Sequence, residues 1–320
     1  MRLRRTAQPA LHVVAAVLQR GRQVLLTRRQ PGTHLAGCWE FPGGKVQPAE
    51  PREVALAREL DEELGVQVLS ARPLIRVVHD YEQLSVDLDV WRVLQFDGDP
   101  VGREGQALRW VDLSDLGEVA MPDADRPVLK ALRLPGRYTI STPHYEPACF
   151  WPALERCLAR GDLLQLRLPG LPQTEFVAVA RRALAMAREH SAARVLLNAE
   201  PALATELGAD GVHLSSARLW RTLRRPLPAD RLLAASCHDV LDVQRAAALG
   251  ADFAVLGPVL ATRSHPGAVS LGWSGFESIV LASGIPVYAL GGVGPEHASR
   301  AGRAGAQGIA AISALWDAGE

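Results

Sequence analysis

The chain is short of cysteine, of tyrosine and methionine, and of any excess charge. Its 320 residues include 4 Cys, 4 Tyr and 3 Met. Cys38, Cys149, Cys157 and Cys237 form no CxxC pair, which excludes a disulfide framework and a paired-thiol metal site and fits a reducing compartment. Basic and acidic residues balance at 35 each, so no global basic field points to long nucleic acid as a partner. No apolar run reaches the roughly 18 residues of a membrane span. The basic N-terminus leads only to the brief run LHVVAAVL and then to charged residues, so it reads as a first strand, not a secretion signal. The expected location is cytoplasmic. What is present is an ordinary globular share of apolar residues, 48%, which excludes disorder.

Two rhythms divide the chain. Up to residue 134 it is strand-rich with one clear helix. LHVVAAVL and QVLLTRR read as a hairpin about Gly21, and PREVALARELDEELG has helical period. IRVVHDYE, LSVDLDVWRVLQFD and ALRWVDLSDL read as strands, and DRPVLKALRL as a closing helix. This predicts an α+β domain over 1–134. Pro135 and Gly136 mark a linker at 135–137. From 138 to 320 apolar runs alternate with helical segments: RYTIST, LLQLRL, RVLLNA, GVHLSS, LLAASC, FAVLGPV, PVYALGGV and GIAAI. Eight such runs predict a (β/α)8 barrel.

The chemistry concentrates in GGKVQPAEPREVALARELDEELGV, residues 43–66. Glu59, Glu62 and Glu63 fall at i, i+3 and i+4, one face of a helix. Like charges there repel by a few tenths of a kcal/mol per pair. A divalent cation reverses that sign, and carboxylates suit Mg2+. Gly43 and Gly44 let backbone approach a ligand closely. Spacing alone leaves a solvated face and a metal site equally open.

The segment resembles the Nudix box: Gly44, then Glu50, then Arg58-Glu59-Leu60-Asp61-Glu62-Glu63-Leu64-Gly65-Val66. TRRQPGTHLAGCWEFPGGK is similar to the MutT-type branch, the 8-oxo-dGTP diphosphatases. The resemblance covers roughly residues 10–134. It implies hydrolysis of a nucleoside triphosphate to a monophosphate and pyrophosphate, and a role in nucleotide-pool sanitation linked to DNA replication and repair. It also implies Mg2+, or Mn2+, held by Glu59, Glu62, Glu63 and the Gly43 carbonyl. Arg58 would fix the helix by pairing with its carboxylates. Glu104 stands where the branch has a further acidic residue, as ligand or general base. Arg29, His34, Glu40, Phe41 and Pro42 are implied to line the nucleotide pocket; Phe41 also reads as plain core. Asp125, in MPDADRPVL, stands where bacterial members carry a purine-reading Asn. An ionised Asp only accepts hydrogen bonds. It would accept from a purine N–H or share a proton with the base, which widens the range of purines expected.

The second half resembles thiamine-phosphate synthase and its thiazole tautomerase relatives. The resemblance rests on LLQLRL, LLNAEPALATELGADGVHL, AASCHD, ADFAVLGPVLATRSHPG and VYALGGV followed by GAQGIAAISALW. It implies a phosphate grip from Gly291, Gly292, Ile312 and Ser313, with hydroxyls from Thr262 and Ser264. His265 is a further candidate for phosphate contact. Gln165, Arg167 and Asn198 match the synthase pattern. Ala199 and Arg218 replace two metal-binding Asp residues, and Pro169 replaces a Lys. The resemblance therefore implies a barrel that binds a thiazole or thiamine phosphate, with synthase chemistry reduced. Ser236-Cys237-His238 fits the tautomerase acid/base arrangement, in which His238 moves a proton; a structural or ligand-orienting His fits equally. Cys237 reads as a small core residue.

Overall fold

The computed structural model describes residues 10–82, 84–190, 192–262, 267 and 269–317. The chain divides into two compact units, Met1–Arg133 and Leu134–Glu320.

The first unit is a mixed sheet between two apolar layers. Its strands and helices run β1 (Leu11–Arg20), β2 (Gln23–Arg28), β3 (Trp39–Glu40), α1 (Arg52–Leu64), β4 (Gln67–Asp80), β5 (Ser85–Asp97), β6 (Leu108–Asp112) and α2 (Arg126–Leu132). The order is β3-β2-β1-β5-β4, with β6 paired to β2. β1 pairs parallel with β5 and antiparallel with β2, and the β1–β2 turn holds Gly21 at φ 57. β1 reads as a continuous apolar run because both its faces are covered. Ala15 and Val17 join the cluster that includes Val128 and Ala131 of α2. Val14, Ala16 and Leu18 join the one that includes Ala55, Leu56, Leu60 and Leu64 of α1. Burying each of those leucines stabilises by roughly 1.5–3 kcal/mol. It also fixes the roll of α1, so its acidic face lies away from that core. The helix stops at Gly65, at φ 70, where a residue with a side chain would be strained.

The second unit is a closed barrel of parallel strands: β7 (Arg137–Ile140), β8 (Leu163–Leu166), β9 (Arg194–Leu197), β10 (Gly211–Leu214), β11 (Leu232–Cys237), β12 (Phe253–Leu256), β13 (Val287–Leu290) and β14 (Gly308–Ala311). The first strand begins at Arg137, and Leu134 is already buried in the barrel interior. Leu134, expected in the first domain, and residues 135–137, expected as linker, fall in the second compact unit. Tyr138, Phe253 and Tyr288 fill the interior, with ring centroids 5.0 to 5.7 Å apart. A larger apolar cluster lies between strands and helices. Among the described residues no helix is long and apolar enough to cross a membrane.

Candidate functional sites

In the first unit, Gly43 and Gly44 run beside β1. Pro42 and Gly44 give their carbonyls to the Ala16 and Val14 amides at 2.8 and 2.9 Å, so the Gly43 carbonyl stays outside that ladder. A Cβ on Gly43, at φ 147, would collide with the Val14 carbonyl; one on Gly44 would collide with the Glu59 carboxylate. Glycine is required at Gly43, where the rigid β1 backbone closes the space; at Gly44 the Glu59 carboxylate would have to move aside. The Gly43 N–H donates to Glu63 Oε2 at 3.2 Å.

Arg58 gathers the rest of the box. It donates to Glu50 at 2.8 and 2.9 Å, Glu59 at 2.9 Å, Glu62 at 3.1 Å and the Lys45 carbonyl at 3.2 Å. Its hydrogen bonds, with that of the Gln47 N–H, hold the Glu50 carboxyl down to about 2. Glu63 behaves oppositely. Burial, together with the charges of Glu59, Glu104 and Glu40, pushes it up to about 8 although the Gly43 N–H opposes this. Four carboxylates therefore feel one another, and a cation would relieve the repulsion. Among the described residues no three acidic, His or Cys side chains are already gathered round one point; Arg58 draws Glu59 and Glu62 to itself. The donor chemistry nonetheless fits a hard cation, because the cluster offers only oxygen ligands.

The neighbouring nucleotide-binding candidates are partly brought together. Arg29 Nη1 forms an ion pair with Glu40, and Arg29 Nε donates to the His34 carbonyl at 2.6 Å. His34 meets Tyr81 edge-on at 5.3 Å. A cavity of about 300 Å³ is lined by His34, Leu35, Cys38, Tyr81, Glu82, Met121, Pro122 and Asp123. Phe41 does not line it; the residue is 3% exposed and packs in the core. Asp125 is 5% exposed. Burial and the Glu40 charge push its carboxyl up to about 8, against the pull of Arg29. Near neutral pH it therefore keeps its proton and both donates and accepts, as an Asn does. Of the two alternatives the sequence leaves open, acceptance by an ionised Asp and a shared proton, this favours the protonated form. Tyr81, Cys38 and Met121 lie within stretches the sequence singles out, but nothing in those stretches marks them as lining residues.

In the barrel, His238, Thr262, Gly291, Gly292, Ile312 and Ser313 line one cavity of about 740 Å³ at the C-terminal strand ends. Gly291 and Gly292, at φ 93 and 66, lie against Pro258 and Leu260–Ala261, leaving no space for a Cβ. Ser264 and His265 lie outside the described residues. Gln165, Arg167, Asn198 and Ser236 are not in that lining. Gln165 is buried, and the backbone N–H and carbonyl of Arg167 bond the Ser141 hydroxyl. Ser236 is tied to His213 Nε2 at 2.8 Å, and His213 Nδ1 to Tyr138 Oη at 3.0 Å. Ser236 thus bonds a buried His that sequence reading passed over, and burial pushes that His down to about 3. His238 Nδ1 lies 2.9 Å from the Gly257 carbonyl. The only proton that can bridge them is on Nδ1, which leaves Nε2 as the neutral ring's acceptor. Cys237 is 1% exposed, as a core residue is.

The barrel does not fit a divalent metal at the family's position. Ala199 is buried and apolar, and Arg218 places its guanidinium 3.5 Å from Asn198 Oδ1 and 2.8 Å from Glu200. A fixed positive charge stands where a cation would need carboxylates.

These two geometries define a class: an acid-faced helix on a mixed sheet, joined in one chain to a barrel with a glycine-walled cavity at the C-terminal ends of its strands. Residues 137–315 match the family described as thiamine monophosphate synthase, and residues 13–131 match the NUDIX domain family. The chain is 36% identical to the CTP pyrophosphohydrolase of Escherichia coli K12 over 121 residues, 38% of this chain and 90% of that protein. It is 32% identical to the 8-oxo-dGTP diphosphatase of the same organism over 120 residues, 38% of this chain and 93% of that protein. A thiamine phosphate pyrophosphorylase of Pyrococcus furiosus is 25% identical, with a TM-score of 0.48, over 59% of this chain and 90% of that one. The chain belongs to the Nudix hydrolases, with MutT-type relatives, through its first unit and to the thiamine monophosphate synthase family through its barrel.

Proposed function

We propose that the first unit hydrolyses purine nucleoside triphosphates, with 8-oxo-dGTP as the leading substrate, to the monophosphate and pyrophosphate. The observation that carries this reading is the carboxylate cluster about Glu63, crowded against a glycine backbone and electrostatically unbalanced without a cation. Glu59, Glu62, Glu63, Glu104 and the Gly43 carbonyl would hold Mg2+, or Mn2+ in its place. The ion, when bound, supplies charge neutralisation of the triphosphate and a lower pKa for the attacking water. Arg58 keeps Glu59 and Glu62 on the reacting face of α1.

Asp125 reads the base as a protonated acid: its hydroxyl donates to a ring carbonyl or ring nitrogen while its carbonyl accepts from an N–H. That pattern serves 8-oxoguanine and also the N3/N4 edge of cytosine, in keeping with the two Escherichia coli relatives. A panel of 8-oxo-dGTP, dGTP, 2-hydroxy-dATP and CTP, assayed for pyrophosphate release with and without Mg2+, tests the reading. Glu63→Gln should abolish metal-dependent release from a folded chain; unchanged turnover would sink it.

For the barrel we infer a binding role for a small phosphate ester of the thiazole or thiamine phosphate type. The cavity walled by Gly291 and Gly292 supports it, since backbone N–H groups can grip phosphate without side-chain charge. The Arg218–Asn198 contact speaks against metal–pyrophosphate chemistry there. A thermal-shift series with thiamine phosphate, a thiazole phosphate and inorganic phosphate tests this; no shift with any of them would remove the binding reading.

A further inference from the structure

The last turn of α1 leaves backbone carbonyls without helical partners, as helix ends do. The Gly65 and Val66 N–H groups cap the Asp61 and Leu60 carbonyls, and a loop from Val101 supplies further donors. The Val101 N–H donates to the Leu64 carbonyl at 3.0 Å and the Arg103 N–H to the Glu63 carbonyl at 2.9 Å. Arg103 Nη1 donates to the Asp61 carbonyl at 2.8 Å. This loop carries Glu104.

Gln106 adds a contact of a different kind. Its Nε2 donates to the Glu63 carbonyl at 3.0 Å, and its Oε1 accepts the Glu104 N–H at 2.9 Å. One planar amide thus joins the backbones of two acidic residues, one on the helix and one on the loop. Reversing the amide would set donor against donor and acceptor against acceptor, so its orientation is fixed. The opposite side of Glu104 is held as well: its carbonyl accepts from Gln30 Nε2 at 2.6 Å. Gly102 makes the loop's close return possible, because a Cβ there would collide with the Gln106 carbonyl. The Glu104 peptide is clamped from both sides while its side chain remains exposed.

We infer that Gln106 is a positioning residue that sets the Glu104 carboxylate relative to Glu63 for divalent-cation binding. The inference rests on the reading of those two carboxylates as cation ligands. Gln106 bonds only their backbones, so it acts through them. Outer-shell partners of this type contribute about 10–100-fold in metal affinity or activity.

Gln106→Leu keeps the side chain's bulk and removes both hydrogen bonds. In the full chain without nucleotide, Mn2+ affinity measured by electron paramagnetic resonance should fall about tenfold. The Mg2+ concentration for half-maximal hydrolysis should rise by a like factor, while KM for nucleotide at saturating Mg2+ stays within about twofold. Arg103→Ala removes a loop-to-helix contact that does not touch Glu104. It should lower Tm and leave Mn2+ affinity within about twofold of wild type. Wild-type Mn2+ affinity in Gln106→Leu, or an equal loss in Arg103→Ala, would overturn the inference. Should Gln106→Leu fail to fold, Gln30→Ala carries the test: about threefold weaker Mn2+ binding is expected, and no change overturns the inference. Glu63→Gln separates the two levels. If it binds Mn2+ as tightly as wild type, the ligand reading falls and the inference with it. If it binds weakly while Gln106→Leu binds normally, the inference alone falls.

Discussion

On the proposed readings the two units would meet phosphate by opposite means. The helix α1 presents carboxylates, which repel a triphosphate until a cation intervenes. On the proposed reading, the barrel cavity presents glycine backbone, whose N–H dipoles would attract an anion with no ion at all. Both depend on glycine, for different reasons. Gly43 and Gly44 let a carboxylate touch backbone; Gly291 and Gly292 keep the cavity wall free of side chains at a left-handed turn. On those readings one site is tunable by metal and pH, and the other by shape.

Chelation should break the comparison most sharply. Removing divalent metal should lower triphosphate hydrolysis by about 10²–10⁴-fold, the range of one essential charge or proton function, and leave the phosphate-induced rise in barrel Tm unchanged. Loss of both would show that the barrel also needs a cation. Gly292→Val comes next. A branched side chain at φ 66, where it would meet Ala261 and Leu260, should abolish the thermal shift with phosphate and cost about 1–3 kcal/mol in stability, while hydrolysis persists. Calorimetry with and without phosphate decides this.

The pH dependence sharpens the contrast. Asp125 titrates at about 8, so base recognition as an acid should fade above that pH, with KM rising about tenfold per pH unit. In Asp125→Asn the rise should vanish, while kcat/KM near neutral pH stays within about fivefold of wild type. An identical KM profile and identical substrate ratios in the variant would mean that Asp125 does not read the base. Stability follows the same groups. Asp125 and Glu63 keep protons in the folded chain that the unfolded chain releases above about pH 4. Their contribution is fully present below that pH and is lost as pH rises through about 8. The slope is at most about 1.4 kcal/mol per pH unit for each group. Denaturation of the metal-free chain at several pH values should therefore be steeper for wild type than for Asp125→Asn. The smallest effect is expected of His238→Ala. Phosphate binding should weaken by no more than about threefold, since the grip is backbone, whereas any thiazole isomerisation would disappear.

Much of the fold was legible because periodicity reports burial. The eight apolar runs after residue 137 are eight barrel strands, each buried on both faces and so free of alternation. The Nudix box was legible because its charges sit at helical spacing and its glycines precede them. Less legible were residues whose roles depend on neighbours distant in sequence. Gln106 is an ordinary loop residue until the fold brings it against Glu63. Ser236 looks like a partner of His238, two residues away, yet bonds His213 on the next strand. Phe41 sits in a nucleotide-binding motif yet faces the core.

By itself the sequence determined two families, two architectures and the acidic face of one helix, because local spacing and glycine placement encode them. Protonation was decided only by tertiary structure. A carboxyl's charge depends on its burial and on the charges folded around it, and these come from residues scattered from Arg29 to Asp125. Likewise only the fold brings Arg218, where the resemblance expects an Asp, beside Glu200 and Asn198.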